Sequence, residues 1–179
     1  MMAGNLWRGA LALAVTLILA GCESFSTGSL QMPDIFDRSG SDEVVVKRQI
    51  PFPAEEYARL EKTGTSAVQG RLTYTTSDGQ TLVGGGETVS VAPATRYAAE
   101  AADVALSGRK IEPADPRARE YTHYAKTDGN GYFVVRGIPA GVFYVAGSVL
   151  LPGGESRSPI IIKQIELGKG QTRDVDLSR

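Results

Sequence analysis

Apolar residues follow three different rhythms along this chain. Residues 9–19 (Gly-Ala-Leu-Ala-Leu-Ala-Val-Thr-Leu-Ile-Leu) form one apolar run. Residues 23–42 are rich in Ser, Gly and Asp, and Leu30, Met32, Ile35 and Phe36 stand in them without a period. From Ser66 onward apolar and polar positions alternate over short stretches, the period of strands with one buried face. Alternation predicts strands over 68–76, 87–92, 120–127, 132–135, 142–151, 158–167 and 172–177. The turn residues Ser77-Asp78-Gly79 and Asp128-Gly129-Asn130-Gly131 separate strands, the latter as a reversal needing positive φ. Seven short strands of this kind predict an all-β sandwich. Phe133 and Val135 share its inner face, and Phe143 and Val145 return to the core.

Two helical patterns interrupt the strands. Residues 54–62 follow Pro53, carry Glu55 and Glu56 in the first turn and Lys62 near the end, and place Tyr57 and Leu60 on one face. Residues 97–106 follow Thr95, a suitable N-cap, align Tyr97, Ala101 and Val104, and meet Gly108 as terminator. The second helix lies in an insertion, 95–119, between two strands where hairpin loops usually have about 2–5 residues. The rest of the insertion, beginning at Arg109, mixes charges with Pro113 and Pro116 and reads as a loop. Long insertions on rigid sandwiches often carry binding surfaces; covering an open sheet edge is the equally weighted reading. Val44-Val45-Val46 is a short β-type run, and residues 44–65 are expected to pack on the domain over 66–179.

The amino-terminal run has a different meaning. Arg8 precedes it, no acidic residue occurs before it, and it is shorter than the roughly 20 residues a bilayer span needs. Leu19-Ala20-Gly21-Cys22 follows it: an aliphatic residue, two small residues and a cysteine. This stretch resembles the bacterial lipoprotein signal, which implies cleavage between Gly21 and Cys22 and acylation of Cys22. A conventional signal cleavage site beside an ordinary cysteine is the alternative. Each buried CH₂ contributes about 0.8 kcal/mol, so two or three acyl chains make a durable membrane anchor. Residues 1–21 are then a signal peptide, and 22–43 a flexible tether of polar composition, reaching on the order of 25 Å. Glu23, rather than Asp, after the cysteine favours the outer membrane, with the domain facing the periplasm or the cell surface.

Composition narrows the function classes. Cys22 is the only cysteine, so no internal disulfide supports the fold. Lys and Arg number 19 against 20 Asp and Glu, which gives no basic surface for nucleic acid.

The stretch from Lys126 to Val145 (Lys-Thr-Asp-Gly-Asn-Gly-Tyr-Phe-Val-Val-Arg-Gly-Ile-Pro-Ala-Gly-Val-Phe-Tyr-Val) resembles the signature of carboxypeptidase regulatory-like domains. Val68-Gln69-Gly70-Arg71-Leu72 is similar to the family's first strand and Val89-Ser90-Val91-Ala92-Pro93 to its second. The resemblance covers about Ser66 to Leu177. It implies a seven-stranded transthyretin-like, Ig-like sandwich that serves as a non-catalytic binding or scaffolding unit.

The candidate chemistry is sparse. His123 is the only histidine and has no triad or metal partner at a recognisable spacing. An enzyme pairing it with Asp115 or Glu120 is the weakest reading, and no catalytic residue, metal site or cofactor is expected. Asp128-Gly129-Asn130-Gly131 lacks the later acid of a calcium loop, and Gly84-Gly85-Gly86 lacks the helix of a phosphate loop. Tyrosines 97, 121, 124, 132 and 144 form either a sugar-stacking strip or half-buried sheet residues. The candidate binding residues are Tyr97, Arg109, Tyr121 and Tyr124. The leading expectation is a protein-interaction module in an envelope assembly, using the insertion and open strand edges; the alternative is a binder of peptidoglycan or another glycan.

Overall fold

The computed structural model describes residues 45–179. The segments expected to be a signal peptide and a tether, with Gly21 and Cys22, lie outside the described residues. Ten strands and three short helices follow in chain order: β1 (Val45–Val46), α1 (Ala54–Tyr57), β2 (Ser66–Thr75), β3 (Thr81–Val83), β4 (Thr88–Pro93), α2 (Arg96–Leu106), β5 (Lys110–Ile111), α3 (Pro116–Arg119), β6 (His123–Lys126), β7 (Tyr132–Ile138), β8 (Gly141–Gly147), β9 (Ile161–Leu167) and β10 (Thr172–Ser178). No helix among the described residues is long and apolar enough to cross a membrane.

The architecture is mostly β, with two four-stranded sheets facing each other. In the first, β2 pairs in parallel with β10 along one side. Its other side pairs antiparallel with β7 and then, further along, with β3. The second sheet is antiparallel in the order β6-β4-β8-β9. Val68 and Leu72 of β2, Phe133 and Val135 of β7, and Val175 and Leu177 of β10 meet Val89, Val91, Phe143, Val145, Ile165 and Leu167 in one buried cluster. These are alternate positions on each strand, so the period-two pattern specifies which face turns inward.

Gly70 has the same parity as Val68 and Leu72 and occupies the inner face of β2. A Cβ there would come within 1.9 Å of the Val175 carbonyl oxygen, and the Phe133 ring tip lies 3.2 Å from the same point. The absence of a side chain at Gly70 is what leaves room for the Val175 carbonyl and the Phe133 ring tip.

The sequence pattern anticipated a sandwich of seven strands, and the observed count is higher. Thr81–Val83 adds β3, three residues too short to show a period, and β1 and β5 form a separate two-residue parallel pair. The 54–62 helix is shorter than its pattern, ending at Tyr57. The 96–106 helix begins as its cap predicts, with the Thr95 hydroxyl accepting from the Ala98 N–H at 3.1 Å.

Residues 46–60 and 95–121 make a third layer over the outer face of the β6-β4-β8-β9 sheet. Arg48 ties the two segments together: its Nε donates to the Glu112 carbonyl (3.0 Å) and its Nη1 to the Tyr97 carbonyl (3.2 Å). Phe52, Tyr57, Tyr97 and Tyr121 pack edge to face as a second apolar cluster, with Ala118 buried among them. The Tyr57 and Thr95 hydroxyls share a buried hydrogen bond of 3.0 Å. Burial raises the Tyr57 pKa above its usual value, with the Thr95 bond opposing the shift.

Candidate functional site

The third layer decides the fate of the tyrosines expected at a binding surface. Tyr97 is only 4% exposed. Its ring lies 5.8 Å from Phe52 and 6.4 Å from Tyr57, the Arg48 guanidinium sits 4.1 Å from its centre, and its hydroxyl accepts from the Asp115 N–H at 2.9 Å. Tyr121 is half-buried, 5.2 Å from the Tyr57 ring and covered by the Lys62 ammonium at 5.0 Å. Tyr124, also half-buried, turns toward the helices from the outer face of β6. Arg109 is exposed beyond the end of α2, where its Nε donates to the Ser107 hydroxyl at 3.0 Å. Of the two expectations for the tyrosines, stacking strip or half-buried residues, 121 and 124 take the half-buried one and Tyr97 is buried outright. The insertion folds back over the outer face of the β6-β4-β8-β9 sheet, packing Tyr97 and Tyr121 into the second apolar cluster and facing Tyr124.

Between this layer and the sheet is a cavity of about 40 Å³, lined by Ser90, Ala101, Ala118, Thr122, Tyr124 and Tyr144 among others. Ser90 is 1% exposed, and its hydroxyl has no hydrogen-bond partner among the described residues. The volume suits about three water molecules, which fits solvation of that hydroxyl.

Among the described residues, nothing covers the opposite side of the sandwich. Strands β7, β2 and β10 present alternate residues outward there, and the registers align them in rows. Val134 stands beside Gln69 and Gln69 beside Asp174; Tyr132 stands beside Arg71 and Arg71 beside Asp176. Past the end of β7, β3 continues the same side of β2, placing Val83 beside Thr73 and Thr73 beside Ser178. Three parallel stripes result: an apolar one (Val134, Tyr132, Val83), a polar one (Gln69, Arg71, Thr73) and an acidic one (Asp174, Asp176, Ser178). With strands about 4.8 Å apart and about 6.8 Å per two-residue step, the platform measures roughly 14 by 10 Å.

Tyr132 at the centre of the apolar stripe is 55% exposed, Val134 42% and Val83 40%. The preceding turn sets the direction of Tyr132. Asp128 Oδ1 accepts from the N–H groups of Asn130 (2.8 Å) and Tyr132 (2.9 Å), and Gly131 takes φ of 81°. A Cβ on Gly131 would lie 2.7 Å from the Leu72 carbonyl oxygen, so the turn presses against β2 at that point. The polar stripes are braced as well. Arg71 Nε donates to the Asn130 carbonyl (2.9 Å), Gln69 Nε2 to Asp174 (2.8 Å) and the Ser178 hydroxyl to Asp176 (2.9 Å). The surface combines one accessible ring, aliphatic neighbours and pre-positioned planar hydrogen-bonding groups.

His123 takes no part in that surface. It pairs with Val91 on β4 and so shares the core-facing side of its strand, where burial lowers its pKa from the usual 6.5. Its Nε2 is buried and has no hydrogen-bond partner among the described residues. Arg117 hydrogen bonds hold Asp115 down at about 2, and Glu120 pairs with Lys62 at 2.5 Å. Among the described residues, no group of three or more His, Cys, Asp or Glu is placed to hold a metal ion.

No family model matches the chain, and no curated protein matches it. Among solved structures, the chain is similar to a putative carbohydrate binding protein from Pseudomonas aeruginosa, with 26% identity and a TM-score of 0.59 over 72% of this chain and 97% of that one. A 9R-lipoxygenase from Cyanothece also aligns, at 12% identity and a TM-score of 0.31, over 79% of this chain and 18% of the lipoxygenase.

Proposed function

We propose that this chain is a lipid-anchored envelope protein whose sandwich binds glycan, without catalysis, on the outer face of the β10-β2-β7 sheet. The observation that carries the reading is the exposure of Tyr132 between Val134 and Val83, bordered by Gln69, Arg71, Asp174 and Asp176. Sugar rings have an apolar C–H face and a polar edge of hydroxyls. An aromatic flanked by rigid planar donors and acceptors addresses both at once. The similarity to a putative carbohydrate binding protein supports the same reading. So does the resemblance of 126–145 to carboxypeptidase regulatory-like domains, taken as non-catalytic units. The engagement of Asp115 by Arg117 and of Glu120 by Lys62, with His123 turned toward the sandwich interior, supports a binding protein over an enzyme.

The proposed anchor rests on Leu19-Ala20-Gly21-Cys22, which supports an envelope location, and Glu23 in place of Asp supports the outer membrane. Labelling cells with a fatty acid tests it: the chain should take up label, and Cys22→Ser should not. For binding, the full chain is run through gels containing polysaccharide. Retardation that survives Tyr97→Phe and disappears with Tyr132→Ala supports the proposed face; retardation unaffected by Tyr132→Ala rejects it.

A protein-interaction role remains a second reading, on a separate observation. Strands β9 and β10 lie at the edges of their sheets, each with one pairing side unmatched among the described residues, and an added strand can pair there.

A further inference from the structure

The same face constrains which glycan fits, and the inference below rests on the glycan-binding reading. We infer that the platform takes an uncharged, linear glycan of two or more linked sugars, lying along the line from Val134 through Tyr132 to Val83.

Direction comes from the stripes. The three apolar residues occupy successive outward positions along one side of β2, over a distance of roughly 14 Å, longer than a single sugar ring. A chain lying along this line keeps its C–H faces on the apolar stripe and one hydroxyl edge over the polar stripe. Turned across the stripes, it would set apolar ring faces on the aspartates, at a desolvation cost for the carboxylates.

Charge selects the class. The outward positions of β2, β7 and β10 carry Arg71 and Arg136 against Asp174 and Asp176, two of each sign, so the face has no net field for an ionic ligand. Arg71 is bordered on one side by Tyr132 and on the other by Asp176, and no second arginine stands beside it. A uronic-acid polymer on this line would meet a single cation in the adjoining stripe, Arg71, already bordered by Asp176, so its repeated carboxylates would lack matched partners. Gln69 and Ser178 each occupy one aspartate while leaving further lone pairs, and Arg71 has spent one of five N–H donors on Asn130. These remaining donors and acceptors match hydroxyl groups, which both give and accept hydrogen bonds.

Calorimetry on the full chain in detergent tests the inference, with oligomers of glucose, mannose and N-acetylglucosamine from one to six units, and with oligogalacturonates of the same lengths. The expected result is a neutral series whose affinity rises at least ten-fold from monomer to trimer and then levels off, changing less than about two-fold between 50 and 500 mM salt. Oligogalacturonates should bind at least ten-fold more weakly, and Asp174→Asn with Asp176→Asn should narrow that gap. Preferential, salt-sensitive binding of oligogalacturonate that is lost in Tyr132→Ala overturns the neutral class and keeps the glycan face. Equal affinity for monomer and trimer overturns the extended chain. If none of the sugars binds, the glycan reading itself falls.

Discussion

The guanidinium carbon of Arg71 lies 5.3 Å from the centre of the Tyr132 ring, with the two residues directly paired across β2 and β7. The contact steadies an exposed ring, while the Asn130 carbonyl fixes the Arg71 Nε. Removing the cation while keeping the stem, as in Arg71→Met, should loosen the ring and remove several donors. Glycan affinity should fall about five- to ten-fold with little change in unfolding midpoint. Tyr132→Phe should stay within about three-fold of the parent, since stacking uses the ring. Calorimetry with the best-binding sugar checks both.

Two glycines should differ in their tolerance of a side chain. Gly70→Ala drives a Cβ against the Val175 carbonyl and the Phe133 ring, in the middle of a strand paired on both sides. A loss of about 3 kcal/mol or more is expected in urea unfolding. Gly129→Ala meets nothing within 4 Å and should stay within about 0.5 kcal/mol of the parent.

Thr95 serves the α2 cap and the Tyr57 phenol at once. Thr95→Ala should therefore cost about 2–3 kcal/mol, from a lost cap and a buried hydroxyl left without its partner. Thr95→Ser, which restores the oxygen, should recover most of this. Because the third layer lies away from the proposed binding face, glycan affinity in both folded variants should match the parent.

The fold was legible where one face of a strand met the core. Val89 and Val91, Phe133 and Val135, and Phe143 and Val145 all alternate inward as the pattern requires. What alternation does not disclose is whether the other face meets water. Tyr124 and Tyr132 both sit on outward positions of their strands, yet residues from the insertion cover one and leave the other exposed. The difference lies in contacts between residues far apart in sequence, such as Arg48 with Tyr97 and Glu112. Tyr132 carried a readable signal in its alternation with Phe133 and Val135. The stripes did not, because they depend on the parallel register of β10 against β2, more than 100 residues away along the chain.

His123 should make stability depend on pH. Its pKa is lowered in the folded protein by burial, so below the unfolded value of 6.5 the unfolded chain binds the extra proton and the folded state loses stability. The contribution is fully present above about pH 6.5 and declines as pH falls through it. Asp115, held at about 2, stays charged throughout that range. Urea midpoints between pH 7.5 and 5.5 should fall for the parent, with a shallower slope in His123→Gln.

The most direct measurement is a backbone amide NMR titration of the full chain in detergent with a neutral sugar trimer. Glycan binding at the uncovered sheet predicts the largest shifts at Gln69, Arg71, Tyr132, Val134, Asp174 and Asp176, with residues 96–121 nearly unmoved. Shifts concentrated in 96–121, with the sheet face silent, would contradict the account.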